Sequence, residues 1–379
     1  MPFEGEERMN ARVPAEVFSP GATLSEELEA RGWSQAELAD ILGRPPRLIS
    51  ELIAGKRAIT PETAKGLAAA FGTSAEFWMN LETAFQLSRA KGNHDEVTRR
   101  ARLYERFPVK EMLKRGWIAS SDSIEVLEQR FRDFFNLTNL TDPIVFAHAA
   151  RKTNYAETST PQMAWLFRAA QLAAGAQVSK YRKPALVEAI SELRACLEHA
   201  DAITNVSAIL AGAGVRLVVV EAIGGAKMDG ACFWINGSPV IALSLRFDRI
   251  DNFWFNLFHE LDHVLHAEGK DSPIVETIEC KADKSELPEI ERRANDAAAD
   301  YCIPSDEMEG FVARVNPMFS KPAIVGFACR VKVHPGLVVG QLHGRNLLSY
   351  AFHRDFLAKV RAKVTASVLT DGFGNNIAL

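Results

Sequence analysis

The segment FNLFHELDHVLH, residues 255–266, sets three histidines, a glutamate and an aspartate into the last eight residues of a mostly apolar run. Its apolar side chains mark a buried helix. A buried ionisable group is tolerated only when it is paired or bound to something. Any fold for this chain must therefore supply partners for His259, Glu260 and His263.

Residues four apart on a helix share a face. His259 and His263 thus point together and can bind one cation through neutral imidazoles. Glu260 sits about 100° around the axis, outside that ligand pair but within reach of a water beside the ion. Two histidine ligands and a carboxylate base are the parts of a zinc hydrolase. The competing reading is a chance match on a core helix. His266, one turn on, reads as an alternative ligand, a donor behind the ligands or a substrate contact. A non-ligand role is preferred, because three ligands from one straight helix rarely converge on a tetrahedral ion.

Zinc needs a third protein ligand. Several acids follow the helix, Glu268 and Glu289 among them, and a second helix is the best source because it is rigid. Residues 288–302, PEIERRANDAAADYC, predict such a helix, with Pro288 in its first turn. At 100° per residue, Glu289, Arg293, Asp296 and Asp300 fall on a solvated side. Glu291, Ala294, Asn295, Ala298 and Cys302 fall on the other, where the alanines permit close approach. Glu291 is then the acid that faces the histidines, and Asn295 a hydrogen-bond partner behind it. Glu291 also has a plainer reading, as an acid favoured by the helix dipole.

With 379 residues the chain is too long for one typical core, so two or three domains are expected. Its five cysteines are scattered without a CxxC pair, which argues for free thiols in a reducing compartment and hence a cytoplasmic protein. No apolar run reaches about 18 residues, so no membrane span is expected. The net charge of −4 offers no global attraction to nucleic acid, and any DNA contact must come from a local patch.

Residues 1–18 read as a flexible tail. From 19 to 90 short amphipathic helices alternate with glycines and prolines. Thr23-Leu24-Ser25-Glu26 reads as a capping box opening the first helix, Gln35–Gly43 as the second, and Pro45-Pro46 to Gly55 as the third. On the third, Leu48, Ile49, Leu52 and Ile53 share one face, while Arg47, Ser50 and Glu51 lie on the other, the form of a recognition helix. Lys56 and Arg57 follow in a loop suited to phosphates. Lys91–His94 reads as a linker, and residues 91–204 as a helical connecting region. After Asn205 the period changes. Leu217–Glu221 predicts a strand, and Ala231–Ile235 and Pro239–Leu243 predict a hairpin turning at Asn236-Gly237. The fold class is α+β and mainly helical.

Two resemblances rest on these residues. GWSQAELADILGRPPRLISELIAGKRAITPETAKGLAAAFGTSAEFWMNLE resembles the XRE-type helix-turn-helix, and more closely its HigA-like antitoxin variety. The resemblance implies operator DNA as a partner, a homodimer on two half-sites, and a toxin as a further partner. Gln35, Arg47 and Ser50 match positions at which that fold meets DNA, and Arg44, Lys56 and Arg57 flank them. Pro45-Pro46 and Glu51 depart from the usual pattern. Residues 20–91 hold eight basic and nine acidic side chains, so a helical bundle kept for dimerisation is the competing reading. The second block, DGACFWINGSPVIALSLRFDRIDNFWFNLFHELDHVLH with ERRANDAAADYCIP, resembles the ImmA/IrrE zinc metallopeptidases. This implies a zincin-like domain over 205–379, Zn²⁺ held by His259, His263 and Glu291, and Glu260 as general base. The family usually carries a small residue where this chain has Asp262, whose extra carboxylate can hydrogen-bond a ligand histidine or alter access. Together the blocks resemble hybrid regulators in which a HigA-like helix-turn-helix precedes an ImmA/IrrE domain; stand-alone members of that family cleave a separate XRE-type repressor, so the resemblance implies an endopeptidase acting here on a repressor-type protein or on itself. The alternative is a repressor or antitoxin whose C-terminal half only binds zinc or senses a ligand.

Overall fold

Glycine- and proline-punctuated helices build the N-terminal unit of the structure, a computed structural model that describes residues 17–90, 94–146, 158–270, 273–276 and 287–371. The tail expected over 1–18 lies outside these residues up to position 16, as do Lys91–Asn93 of the expected linker, His148 and Cys280. The chain divides into two units, Met1–His94 and Asp95–Leu379.

The first unit holds α1 (Pro20–Arg31), α2 (Gln35–Leu42), α3 (Pro46–Ile53), α4 (Pro61–Phe71) and α5 (Ala75–Arg89). Ser19 caps α1 by accepting the Ala22 amide, with Pro20 in the first turn. The Thr23–Glu26 box expected to open this helix therefore lies inside it, since the fixed φ of Pro20 starts the turn three residues sooner. A reciprocal capping box does form at α2: the Ser34 hydroxyl accepts the Glu37 amide, and the Glu37 carboxylate accepts the Ser34 amide at 2.7 Å. Both amides would otherwise lack partners. Gly43, at φ +61°, turns the chain from α2 into α3, a conformation open to glycine without strain. Leu24, Leu38, Ile49, Leu52, Leu67 and Trp78 form the core of this unit. Glu82 is buried on α5 and satisfied by the Ile59 amide at 2.9 Å and the Gln86 side chain at 2.7 Å.

The second unit opens with α6 (His94–Arg106), α7 (Val109–Lys114), α8 (Ile124–Phe135), α9 (Thr160–Ala174), α10 (Lys183–Ala195) and α11 (Val206–Gly212). It continues with β1 (Arg216–Val219), β2 (Gly230–Ile235), β3 (Ser238–Leu243), α12 (Ile250–Leu265), β4 (Ile274–Glu276) and α13 (Glu289–Cys302). It closes with α14 (Ser305–Val315), α15 (Lys321–Val331), α16 (Pro335–Gly344), α17 (Arg361–Thr365) and β5 (Leu369–Thr370). The sheet order is β4-β2-β3-β1-β5. The expected hairpin forms, with Ile235 opposite Ser238 and Asn236 and Gly237 both at positive φ, the geometry of a type I′ turn. β1 joins β3 in parallel, β5 joins β1 in parallel, and β4 joins β2 antiparallel.

Alternate residues of the strands face opposite cores. Val218, Phe233 and Ala242 pack with Leu127, Phe131 and Trp165 of α8 and α9, and Trp165 donates its indole N–H to the Val220 carbonyl at 2.9 Å. Leu217, Cys232 and Ile241 pack on the other side with α10, α11 and α12. The sheet is thus covered on both faces, and the mainly helical α+β class holds. Helix α12 lies against β2, α13 and α16. Among the described residues no single helix is long and apolar enough to cross a membrane, and Cys196, Cys232, Cys302 and Cys329 are free thiols.

Candidate metal centre and helix-turn-helix surface

Helix α12 buries nearly its whole circumference, polar residues included: His259, Glu260 and His263 are fully buried. Helix α13 packs against it, with Ala294 and Ala298 both without exposed surface and Ala298 in one core with Phe258 and Leu261. This close approach brings the Glu291 side chain, 14% exposed, to the two imidazoles. His259 Nε2 lies 3.0 Å from His263 Nε2 and 3.2 Å from Glu291 Oε2, and His263 Nε2 lies 3.8 Å from that oxygen. Tetrahedral zinc with bonds of about 2.1 Å holds its ligand atoms about 3.4 Å apart. The three observed edges bracket that spacing, so the donor set fits the ion in chemistry and in size. Among the described residues these three form the one His/Cys/Asp/Glu cluster of metal-holding size.

The electrostatics agree. Burial alone would raise the Glu291 carboxyl, yet the His259 and His263 imidazoles override it and hold it at about 2. Burial pulls His263 down, and the facing Glu291 and Glu260 carboxylates raise it overall. A buried carboxylate between two imidazoles favours positive charge at their meeting point. Glu260 is not one of the three grouped side chains, and its carboxylate lies against Gly230 of β2. A side chain at Gly230 would collide with Glu260 Oε1, so the absent Cβ makes room for this group.

Three neighbouring residues surround this group. Asp262 is buried, but it neither bonds a ligand histidine nor faces the triangle. Its Oδ2 takes Arg293 Nε at 2.9 Å, with His266 Nδ1 at 3.4 Å. His266 bonds back to the Asp262 carbonyl at 2.9 Å, is largely solvent-facing and ends α12, so it is turned from the ligand atoms. Asn295 is half-buried, and among the described residues no hydrogen bond joins it to the three groups. The histidine partner is instead Glu268, whose Oε2 lies 2.7 Å from His263 Nδ1. Arg293, expected on the solvated side of α13, curls back to Asp262 and Glu268. Helical angle alone missed it because a long guanidinium stem can reach around its own helix.

In the first unit Gln35, Arg44, Arg47, Ser50, Lys56 and Arg57 are all exposed. On α3 the apolar face buries Ile49 and Leu52, and Ser50 donates to the Arg47 carbonyl at 2.9 Å. Glu51 sits between two basic groups, accepting Arg47 Nε at 2.7 Å with Arg57 Nη1 at 3.4 Å, and Arg47, its largest influence, holds its carboxyl below the usual range. Arg44 pairs with Glu62. The acid that looked out of place on an outward face thus restrains two of the candidate DNA contacts.

Residues 24–78 match the family described as Helix-turn-helix, and residues 214–318 match the IrrE N-terminal-like domain, an M78 peptidase family. The second match contains His259, Glu260, His263 and Glu291. YddM, an uncharacterized HTH-type transcriptional regulator of Escherichia coli (strain K12), is 37% identical over 84 residues, covering 22% of this chain and 88% of that protein. Virulence-associated protein I of Dichelobacter nodosus is 37% identical over 82 residues, covering 21% of this chain and 76% of that protein. Among solved structures, an addiction module antidote protein of a HigA family from Coxiella burnetii is 38% identical, covering 20% of this chain and 83% of its own, with a TM-score of 0.19. Through residues 24–78 the chain belongs to the XRE-type helix-turn-helix regulators, and its residues 214–318 carry an IrrE/ImmA-like domain of the M78 peptidase type.

Proposed function

We propose that the protein is a DNA-binding transcriptional regulator carrying a zinc-dependent endopeptidase, which acts on a repressor-type protein or on itself to control expression. The observation that carries this reading is the meeting of His259 Nε2, His263 Nε2 and Glu291 Oε2 at one point, with buried Glu260 next to His259 in the same helix. His259, His263 and Glu291 hold the zinc. When bound, the ion supplies Lewis acidity, which polarises a carbonyl and makes water a better nucleophile at neutral pH. Glu260 takes the proton from the attacking water on its carboxylate and passes it to the departing amine. Gly230 leaves space for that carboxylate, and the surrounding apolar side chains keep bulk water away. Arg47, Ser50 and Gln35 read an operator as part of a dimer, with Arg44, Lys56 and Arg57 on phosphates. The HigA-like sequence pattern adds a toxin as a candidate partner, and a DNA-bound regulator of this kind works in the cytoplasm.

Cleavage is tested by incubating the zinc-loaded chain with a helix-turn-helix repressor and reading fragments by mass spectrometry. Glu260→Gln keeps its zinc and loses cleavage by about 10²–10⁴-fold. A Glu260→Gln protein that binds zinc and retains full regulatory output rules out proteolysis. One observation favours the second reading, a repressor with a structural or sensing zinc. The β2 edge beside Glu260, where an extended substrate would pair, already carries β4, with Gly230 opposite Glu276.

A further inference from the structure

We propose that Glu268 and Arg293 are positioning residues that set the metal site by bracing α12 to α13. This rests on the zinc reading given above. Glu268 is fixed from every side. Its amide donates to the His263 carbonyl at 2.9 Å, and its own carbonyl accepts the Trp234 indole N–H at 2.9 Å, which ties the turn after α12 to β2. Its Oε2 then receives two groups, His263 Nδ1 at 2.7 Å and Arg293 Nη2 at 2.6 Å. A carboxylate on Nδ1 selects the tautomer that leaves the Nε2 lone pair for a cation and stops the ring from turning.

Arg293 adds the second half of the device. It lies on α13 two residues after Glu291, and its Nε and Nη2 engage Asp262 and Glu268, both outside α13. One planar fork therefore links the helix of the carboxylate ligand to the helix of the histidine ligands. Ordinary exposed ion pairs contribute little. This one differs because Asp262 is only 4% exposed and because the Glu268 oxygen it holds is the same oxygen that holds His263. The arrangement also gives Asp262 a purpose: it is the anchor on α12 for Arg293.

The test is zinc affinity, measured by competition with a chromophoric chelator, alongside the visible spectrum of the cobalt(II)-loaded protein. Wild type and His259→Ala are run in the same series. Glu268→Ala and Arg293→Ala each weaken zinc binding by about 10–100-fold. Glu268→Gln, which keeps an acceptor for His263 Nδ1, recovers most of the loss and the wild-type cobalt spectrum. The Glu268→Ala/Arg293→Ala double variant loses far less than the product of the two single losses, because both act through one oxygen. Arg293→Lys keeps a positive charge for buried Asp262 but cannot span both carboxylates. It covers the case in which Arg293→Ala does not fold, and it too shows weakened zinc binding and an altered cobalt spectrum. Wild type that binds zinc while the folded Glu268→Ala and Arg293→Lys proteins stay within twofold of it overturns the brace alone. Wild type that binds no zinc overturns the brace and the metallopeptidase reading together.

Discussion

Arg47 and Arg57 share Glu51 in the free protein, so a phosphate or base edge must take a guanidinium from a carboxylate already in place. Removing that acid frees both groups and lowers the negative charge beside the duplex. Glu51→Gln therefore binds operator DNA a few-fold more tightly than wild type, whereas Arg47→Ala weakens specific binding by about 1–3 kcal/mol. A gel-shift titration of both variants at one salt concentration checks this, and equal affinities for all three proteins would remove Arg47 and Glu51 from the interface. The same residues show what single positions can reveal. His259, Glu260 and His263 were legible because ionisable groups at helical spacing in an apolar run need a cause. Glu268 was one acid among many, and only folding brings its carboxylate to His263 Nδ1. Arg293 was assigned by helical angle to solvent, and its length carried it back to Asp262.

Helices α12 and α13 make the site through their separation. Ala294 and Ala298 on α13 are fully buried, and Ala298 packs in one core with Phe258 and Leu261 of α12, so close packing leaves little room for a larger side chain. Ala298→Leu overpacks this seam, costs about 1–3 kcal/mol of stability and draws Glu291 away from the imidazoles. The expected result is a folded protein with a lowered melting temperature and a clear loss of zinc affinity. Wild-type zinc affinity in that variant would show that the seam does not set the ligand triangle. The alanine stripe was legible as a period of small residues, as was the Asn236-Gly237 turn, since both are local signals. The parallel pairing of β1 with β3, and the short β4 and β5, were not. Their partners are distant in sequence, and strands of two or three residues carry almost no alternation. The first helix start was misplaced for a local reason, a proline overriding a plausible cap.

Across the whole molecule, cores belong to one unit or the other. Leu24 through Trp78 form one cluster, and the two clusters of the second unit flank its sheet. Scanning calorimetry of the full chain should accordingly show two transitions. Added zinc moves only the one belonging to Asp95–Leu379, by RT ln(1 + [L]/Kd), or about 4 kcal/mol at a thousandfold excess over Kd. A single transition that shifts as a whole would contradict this division. The pairing of a helix-turn-helix with a buried histidine–carboxylate centre was legible because each half carries its own dense motif. The second unit's helices on both sheet faces were not, because their apolar stripes do not name the surface they cover. Zinc content decides the central claim most directly. Elemental analysis of the purified chain is expected to find one zinc per wild-type molecule and close to none in folded His259→Ala; a wild type without zinc, or a variant with as much, would contradict the account.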